Sequence, residues 1–159
     1  MNKLVKFGAA ALFSLFIVAC NKSDPAADYQ KLTQWNEEQT KVEVEAQQTF
    51  QRDFNEALQK NDGVKAKAAL DTFAKALKAS ADSLDKLDLS SDEVKKLRDQ
   101  NKVVLTLSSE VFSLQSQHLD APTEEAQNTL KAKVDELNKA NAQLQAETQA
   151  VEAKVKPAK

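Results

Sequence analysis

The chain has little of what most protein chemistry requires. Its 159 residues include one cysteine, one histidine, one methionine, two glycines and three prolines. A lone cysteine excludes an internal disulfide. A lone histidine, His118, excludes the paired Glu-x-x-His motifs of di-iron bundles, and the residue three before it is Gln115. The only methionine is Met1 and there is no Cys-x-x-Cys-His, so neither a His/Met haem ligand pair nor a covalent haem site can be assembled. Two glycines are too few for a phosphate-binding loop, and no serine sits in a Gly-x-Ser-x-Gly elbow. These absences predict a chain that is not an enzyme and has no catalytic, cofactor-binding or metal-ligating residues. There is also no basic surplus, since 22 lysines and arginines face 24 acidic residues; nucleic acid, which wants a basic face, is not an expected partner.

No apolar run reaches the roughly 20 residues needed to span a bilayer. The longest begins the chain, in "MNKLVKFGAAALFSLFIVAC", where Lys3 and Lys6 precede an uncharged stretch from Phe7 to Ala19. A positive leader, a short apolar segment and small residues at its end describe a secretory signal peptide. Ile17-Val18-Ala19-Cys20 resembles the lipobox of bacterial lipoproteins. The resemblance implies cleavage between Ala19 and Cys20, a diacylglyceryl group on the Cys20 thiol, and acylation of the new amino terminus. Two or three acyl chains hold a protein stably where one does not, at about 0.8 kcal/mol per buried CH₂. Asn21, rather than aspartate, follows the cysteine, which by the same resemblance implies onward sorting to the outer membrane. The expected organisation is a signal peptide over 1–19, a lipidated tether over 20–24, a helical domain over 25–156 and a tail over 157–159. The membrane, through Cys20, is one expected partner, and another envelope protein is the second. Without Lys3 and Lys6, 20 basic residues face 24 acidic ones, a net charge near −4.

The rest is rich in alanine, leucine, lysine, glutamine and glutamate, the better helix formers. The scarce breakers mark helix ends. Asp24-Pro25 reads as an N-cap with proline at the first helical position. Gly63 reads as the junction between a first and a second helix. Ser90 and Glu93 read as a capping box opening a third. Pro122, followed by Glu124 and Glu125, opens a fourth with acidic residues at the positive end of its dipole. Four helices follow, over about 25–61, 64–87, 91–119 and 122–156.

Each carries apolar residues at spacings of three and four. The first has Leu32, Trp35, Val42, Ala46, Phe50, Phe54 and Leu58; the second has Leu70, Phe73, Leu77, Leu84 and Leu87. The third has Val94, Leu97, Val104, Val111 and Phe112, widened by Leu105, Leu107, Leu114 and Leu119; the fourth has Leu130, Val134, Leu137, Leu144, Val151 and Val155. Such stripes predict an all-α fold, an up-down-up-down four-helix bundle, with an extended helical hairpin or coiled coil as the alternative. Alternating direction places Phe50, Phe54, Phe73 and Phe112 in the half far from the anchor. Trp35 falls in the near half with Leu84, Leu87, Val94, Val151 and Val155.

Few polar residues stand out. The pairs Glu37/Glu38 and Glu43/Glu45 read as a solvated helix face. His118 falls in the last turn of the third helix, where it suits the negative end of the dipole. "KLTQWN", Lys31 to Asn36, partly resembles the Leu-Thr-x-x-Gln box of small helical periplasmic stress chaperones, but Asn36 takes the place of the glutamine and no second copy exists. The expected function is non-enzymatic: protein binding or structural support by a lipid-anchored envelope protein. A periplasmic chaperone-like client binder and a small-ligand or haem carrier are the alternatives. Binding predicts an exposed apolar strip on the third helix, at Leu107 and Leu114. A carrier predicts a cavity among the distal phenylalanines with His118 pointing in.

Overall fold

The computed structural model describes residues 24–155, so the expected signal peptide, the Cys20 site, most of the tether and the tail lie outside the described residues. Four α-helices account for most of this span: α1 (Pro25–Gln59), α2 (Gly63–Ser83), α3 (Asp92–Asp120) and α4 (Glu124–Val155), with one 3-10 turn at Leu84–Lys86. Successive helices run antiparallel and pack side by side, and α1 also touches α3 and α4, which makes a bundle rather than an extended hairpin.

The helix ends explain themselves locally. Asp24 caps α1, its Oδ1 accepting from the backbone N–H of Ala26 at 3.0 Å and Ala27 at 3.1 Å, with Pro25 beginning the first turn. The α1–α2 junction departs from expectation. The residue in the left-handed region is Asn61, at φ 50°, and Asp62 caps α2 by accepting from Lys65 N–H, so Gly63 is simply the first helical residue. The second helix stops at Ser83 rather than at 87, because the chain tightens into the 3-10 turn. The fourth begins at Glu124 behind Thr123, whose hydroxyl accepts from Ala126 N–H at 3.1 Å.

The capping box expected at Ser90 and Glu93 does not form. Ser91 is the N-cap of α3 and its side chain caps nothing, while Glu93 pairs with Lys154 on α4. The cap comes from α1 instead. Asp28, 2% exposed, points its Oδ2 at the α2–α3 connection. There it accepts from Ser90 N–H at 2.6 Å, Ser91 N–H at 2.7 Å and the Ser90 hydroxyl at 2.9 Å. Lys31 donates to the other oxygen at 3.2 Å and to the Asp88 carbonyl at 2.7 Å. One buried carboxylate thus satisfies N–H groups that a helix start leaves orphaned, and ties it to a helix 62 residues earlier in sequence. Burial pushes the Asp28 carboxyl up, but the N–H groups of Ser91 and Ser90, the Ser90 hydroxyl and Lys31 outweigh it and hold the pKa at about 2.

Above this clamp sits the core around the start of α1. Leu32 and Trp35 from α1 meet Leu77, Ala81 and Leu84, then Val94 and Leu97 of α3 and Val151 of α4, with Leu87 and Val155 packed at the margin. Trp35 Nε1–H donates to Ser83 Oγ at 2.9 Å, satisfying the indole inside the core. The layer expected around Trp35 is therefore present. Towards the far end α2 and α3 stay closely paired, with the Ser109 hydroxyl donating to the Ala74 carbonyl at 2.7 Å. The outer helices bury less. α4 has two buried residues, Ala140 and Val151, over 32 positions, against seven over the 21 of α2. The α1 stripe also narrows: Val42 is 53% exposed and Leu58 54%, because they lie on the two edges of a face that runs through Leu32, Ala46, Phe50 and Ala57.

Removing the clamp leaves the buried Ser91 N–H and the part-buried Ser90 N–H without their acceptor. Asp28→Ala is expected to lower the unfolding free energy by on the order of 3 kcal/mol in urea denaturation. Because folding depresses this pKa, the stability it brings is complete above the ordinary carboxylate value of 3.8 and fades as pH falls towards 2. That loss amounts to about 2 kcal/mol. Denaturation at pH 7, 4 and 2 should show it in the wild type and not in Asp28→Ala; equal pH dependence would contradict the assignment.

Candidate functional site

The distal half gathers four aromatic rings. Phe50 stacks on Phe54 at 5.3 Å and on Phe73 at 5.1 Å, and Phe112 meets Phe50 edge-on at 5.4 Å and Phe73 at 4.7 Å. The four phenylalanines expected in the same half of the bundle do cluster, supplied by α1, α2 and α3. Phe50 and Phe73 are half-buried, and what they leave accessible forms the floor of a groove on the α1–α2 seam.

That groove has two parts. One part, of 230 Å³, is lined by Val42, Ala46 and Phe50 of α1 and Ala69, Phe73 and Ala76 of α2, with Glu45, Thr49, Asp53 and Thr72 at its edges. A second part, of 310 Å³, adjoins it through Asp53, Ala69 and Thr72 and runs on to Ala68, Glu56 and Lys65. Small residues on α2 keep it open, and the α1 side is acidic. Arg52 pairs with Asp53 at 2.9 Å and Lys60 with Glu56 at 2.5 Å, while Glu45 has no cationic partner among the described residues.

A second depression lies between α1 and α4 over α3, near the start of α1. Tyr29, Leu32, Thr33, Asn36, Leu97, Asn101, Leu144, Thr148 and Glu152 line its 410 Å³. Tyr29 donates its hydroxyl to Glu152 at 2.7 Å across it. Burial and that carboxylate together push the tyrosine up to about 12. The contact closes the α1–α4 seam at the base and is a structural latch.

Other expectations are resolved residue by residue. Leu107 is buried and Leu114 half-buried, so the exposed strip expected on α3 is absent; these side chains are consumed in helix packing. Exposed apolar residues are instead scattered as Val42 and Val44 on α1, Val64 on α2 and Val103 and Leu119 on α3. Glu37, Glu38 and Glu45 lie on the solvated face as expected. Glu43 does not: it is half-buried against α2, and burial raises its pKa against the opposing hydrogen bond of Ser80. His118 occupies the last turn of α3, as its sequence position implied, and its buried Nδ1 has no partner among the described residues. It lines neither part of the α1–α2 groove, so it does not point into the space that Phe50 and Phe73 border. Among the described residues no group of three or more His, Cys, Asp or Glu side chains converges as metal ligands would, and no helix is long and apolar enough to cross a membrane.

The protein-family model described as uncharacterised lipoprotein PM1805 matches residues 26–156, nearly the whole described bundle, and the chain belongs to that family. It is a bacterial lipoprotein, and the family implies a membrane-anchored place in the cell envelope. No curated protein and no solved structure matches the chain.

The ring cluster should behave as one coupled unit. A double-mutant cycle with Phe73→Ala and Phe112→Ala, followed by urea denaturation, is expected to return a coupling of about 1 kcal/mol, and strict additivity would deny the contact.

Proposed function

We propose that this member of the lipoprotein family is a non-enzymatic protein-binding module, anchored through Cys20 to the outer membrane. The leader and the Ile17-Val18-Ala19-Cys20 sequence support the anchor, and Asn21 after the cysteine supports outer-membrane sorting. The observation that carries the binding reading is the α1–α2 groove. It exposes Val42 and parts of Phe50 and Phe73 in the half of the bundle away from α1's anchored start. An apolar floor with polar edges is the composition of a recognition surface. The titratable groups with strong partners hold helices together instead: Asp28 with Ser90 and Ser91, Tyr29 with Glu152, Lys67 with Asp120. That leaves them structural rather than catalytic duties.

Two experiments in intact cells test this. Metabolic labelling with a fatty-acid analogue should mark the wild type and not Cys20→Ala; equal labelling would refute the anchor. A photoreactive residue in place of Val42 should give one discrete covalent adduct, and the same probe at Lys139, on the exposed side of α4, should give none. A heterogeneous smear of adducts from Val42 would instead favour a client binder.

A further inference from the structure

The groove's charge identifies the chemistry of what fills it. Residues 37–56 of α1 carry six acidic side chains and two basic ones, a surplus of four. That equals the net charge of the whole chain from Cys20 onward, so the remainder is neutral. Part of this surplus stands at the groove. Glu45 and Asp53 edge one part, Glu56 the other, and Glu38, seven residues before Glu45, continues the same side of α1. The facing α2 wall is Ala68, Thr72 and Ala76, with one lysine, Lys65, paired to Asp62 at 3.6 Å; on the α1 side Asp53 and Glu56 pair with Arg52 and Lys60, which leaves Glu45 as the rim carboxylate without a cationic partner among the described residues. From Val42 to Glu56 the groove follows α1 for about 20 Å, the length of four helical turns.

We infer that the α1–α2 groove docks a basic amphipathic helix of a partner protein, whose apolar stripe covers Phe50, Phe73 and Val42 while its lysines or arginines meet Glu45 and Asp53. The inference rests on the protein-binding reading above and names the partner's chemistry. An apolar seam with charge along one side is how helix-in-groove recognition obtains affinity and orientation. A second copy of this chain does not fit: α3 and α4 each hold more acidic than basic residues, and α2, which has the lysine surplus, forms the groove wall itself. An anionic lipid surface is repelled by the same acidic side.

The test uses the full lipidated chain in cells, with a photoreactive residue at Val42. Two periplasmic reporters are co-expressed, each ending in a designed 16-residue helix, about four turns long. Both share a Leu/Ala stripe; one is flanked by lysines and the other by glutamates. The lysine helix is expected to crosslink about fivefold more than the glutamate helix, as two screened rim charges allow. Glu45→Lys combined with Asp53→Lys should reverse the preference. Glu45→Lys alone, at an exposed position that leaves packing untouched, should reduce it. Equal yields, no reporter adduct with either helix, or a preference unmoved by these substitutions would overturn the inference. A discrete endogenous adduct at Val42 alongside any of those results would leave protein binding standing and this partner chemistry refuted.

Discussion

Asp28 is the residue on which the arrangement of the other elements depends. A bundle of long helices has strong lateral packing but weak control over how its ends meet. Here one buried carboxylate accepts two backbone N–H groups and a hydroxyl at the α2–α3 connection. A buried charge is costly unless every lone pair is used, and here the costs are offset by charge-assisted bonds and by Lys31. The clamp sets where α3 begins relative to α1. That in turn sets which residues share a layer: Trp35 with Leu84 and Val94 near the base, Phe50 with Phe73 and Phe112 further out.

The bundle is consequently unequal along its length. Near the base, the Asp28 clamp, the Trp35 to Ser83 bond and the Tyr29 to Glu152 latch close three sides at once. Further out, α2 and α3 remain tightly joined, while α1 leans on α2 through half-buried residues and a polar contact between Ser80 and Gln39 at 3.2 Å. Under the amino-terminal tether proposed above, the closed base lies towards the start of α1 and the groove towards the opposite end of the bundle.

Much of this was legible in the sequence. The four stripes, the Asp24-Pro25 cap and the separation of tryptophan from phenylalanine layers follow from helical period and alternating direction, which depend on local spacing alone. What was not legible depends on contacts distant in sequence. Ser90 and Glu93 have the spacing of a capping box, yet Ser90 is engaged by Asp28 and Glu93 by Lys154. A signal existed: Asp28 lies four residues before Leu32 and seven before Trp35, a charge placed on the buried stripe. Such a charge requires a buried partner, and the sequence does not name it. At the α1–α2 turn, the junction expected at Gly63 falls two residues earlier, where Asn61 takes a left-handed conformation that asparagine tolerates. The groove was half-legible. The acidic excess of α1 can be counted, but the exposure of Val42 arises because the buried face passes beside it. Leu107 and Leu114 looked surplus on α3, yet Leu107 is buried and Leu114 half-buried in a bundle where α3 packs against both α2 and α4.

Native-state hydrogen exchange on the full-length protein tests the central claim, a clamped base beneath a more yielding outer α1, most directly. Amide protection reports the free energy of local opening. At neutral pH the Ser90 and Ser91 amides, although they precede a helix, should exchange as slowly as core amides of α3 such as Leu97, and those of residues 40–48 in α1 should exchange faster. Exchange of Ser90 and Ser91 at the rate of an exposed loop amide such as Asp88, or uniform protection along α1, would contradict it.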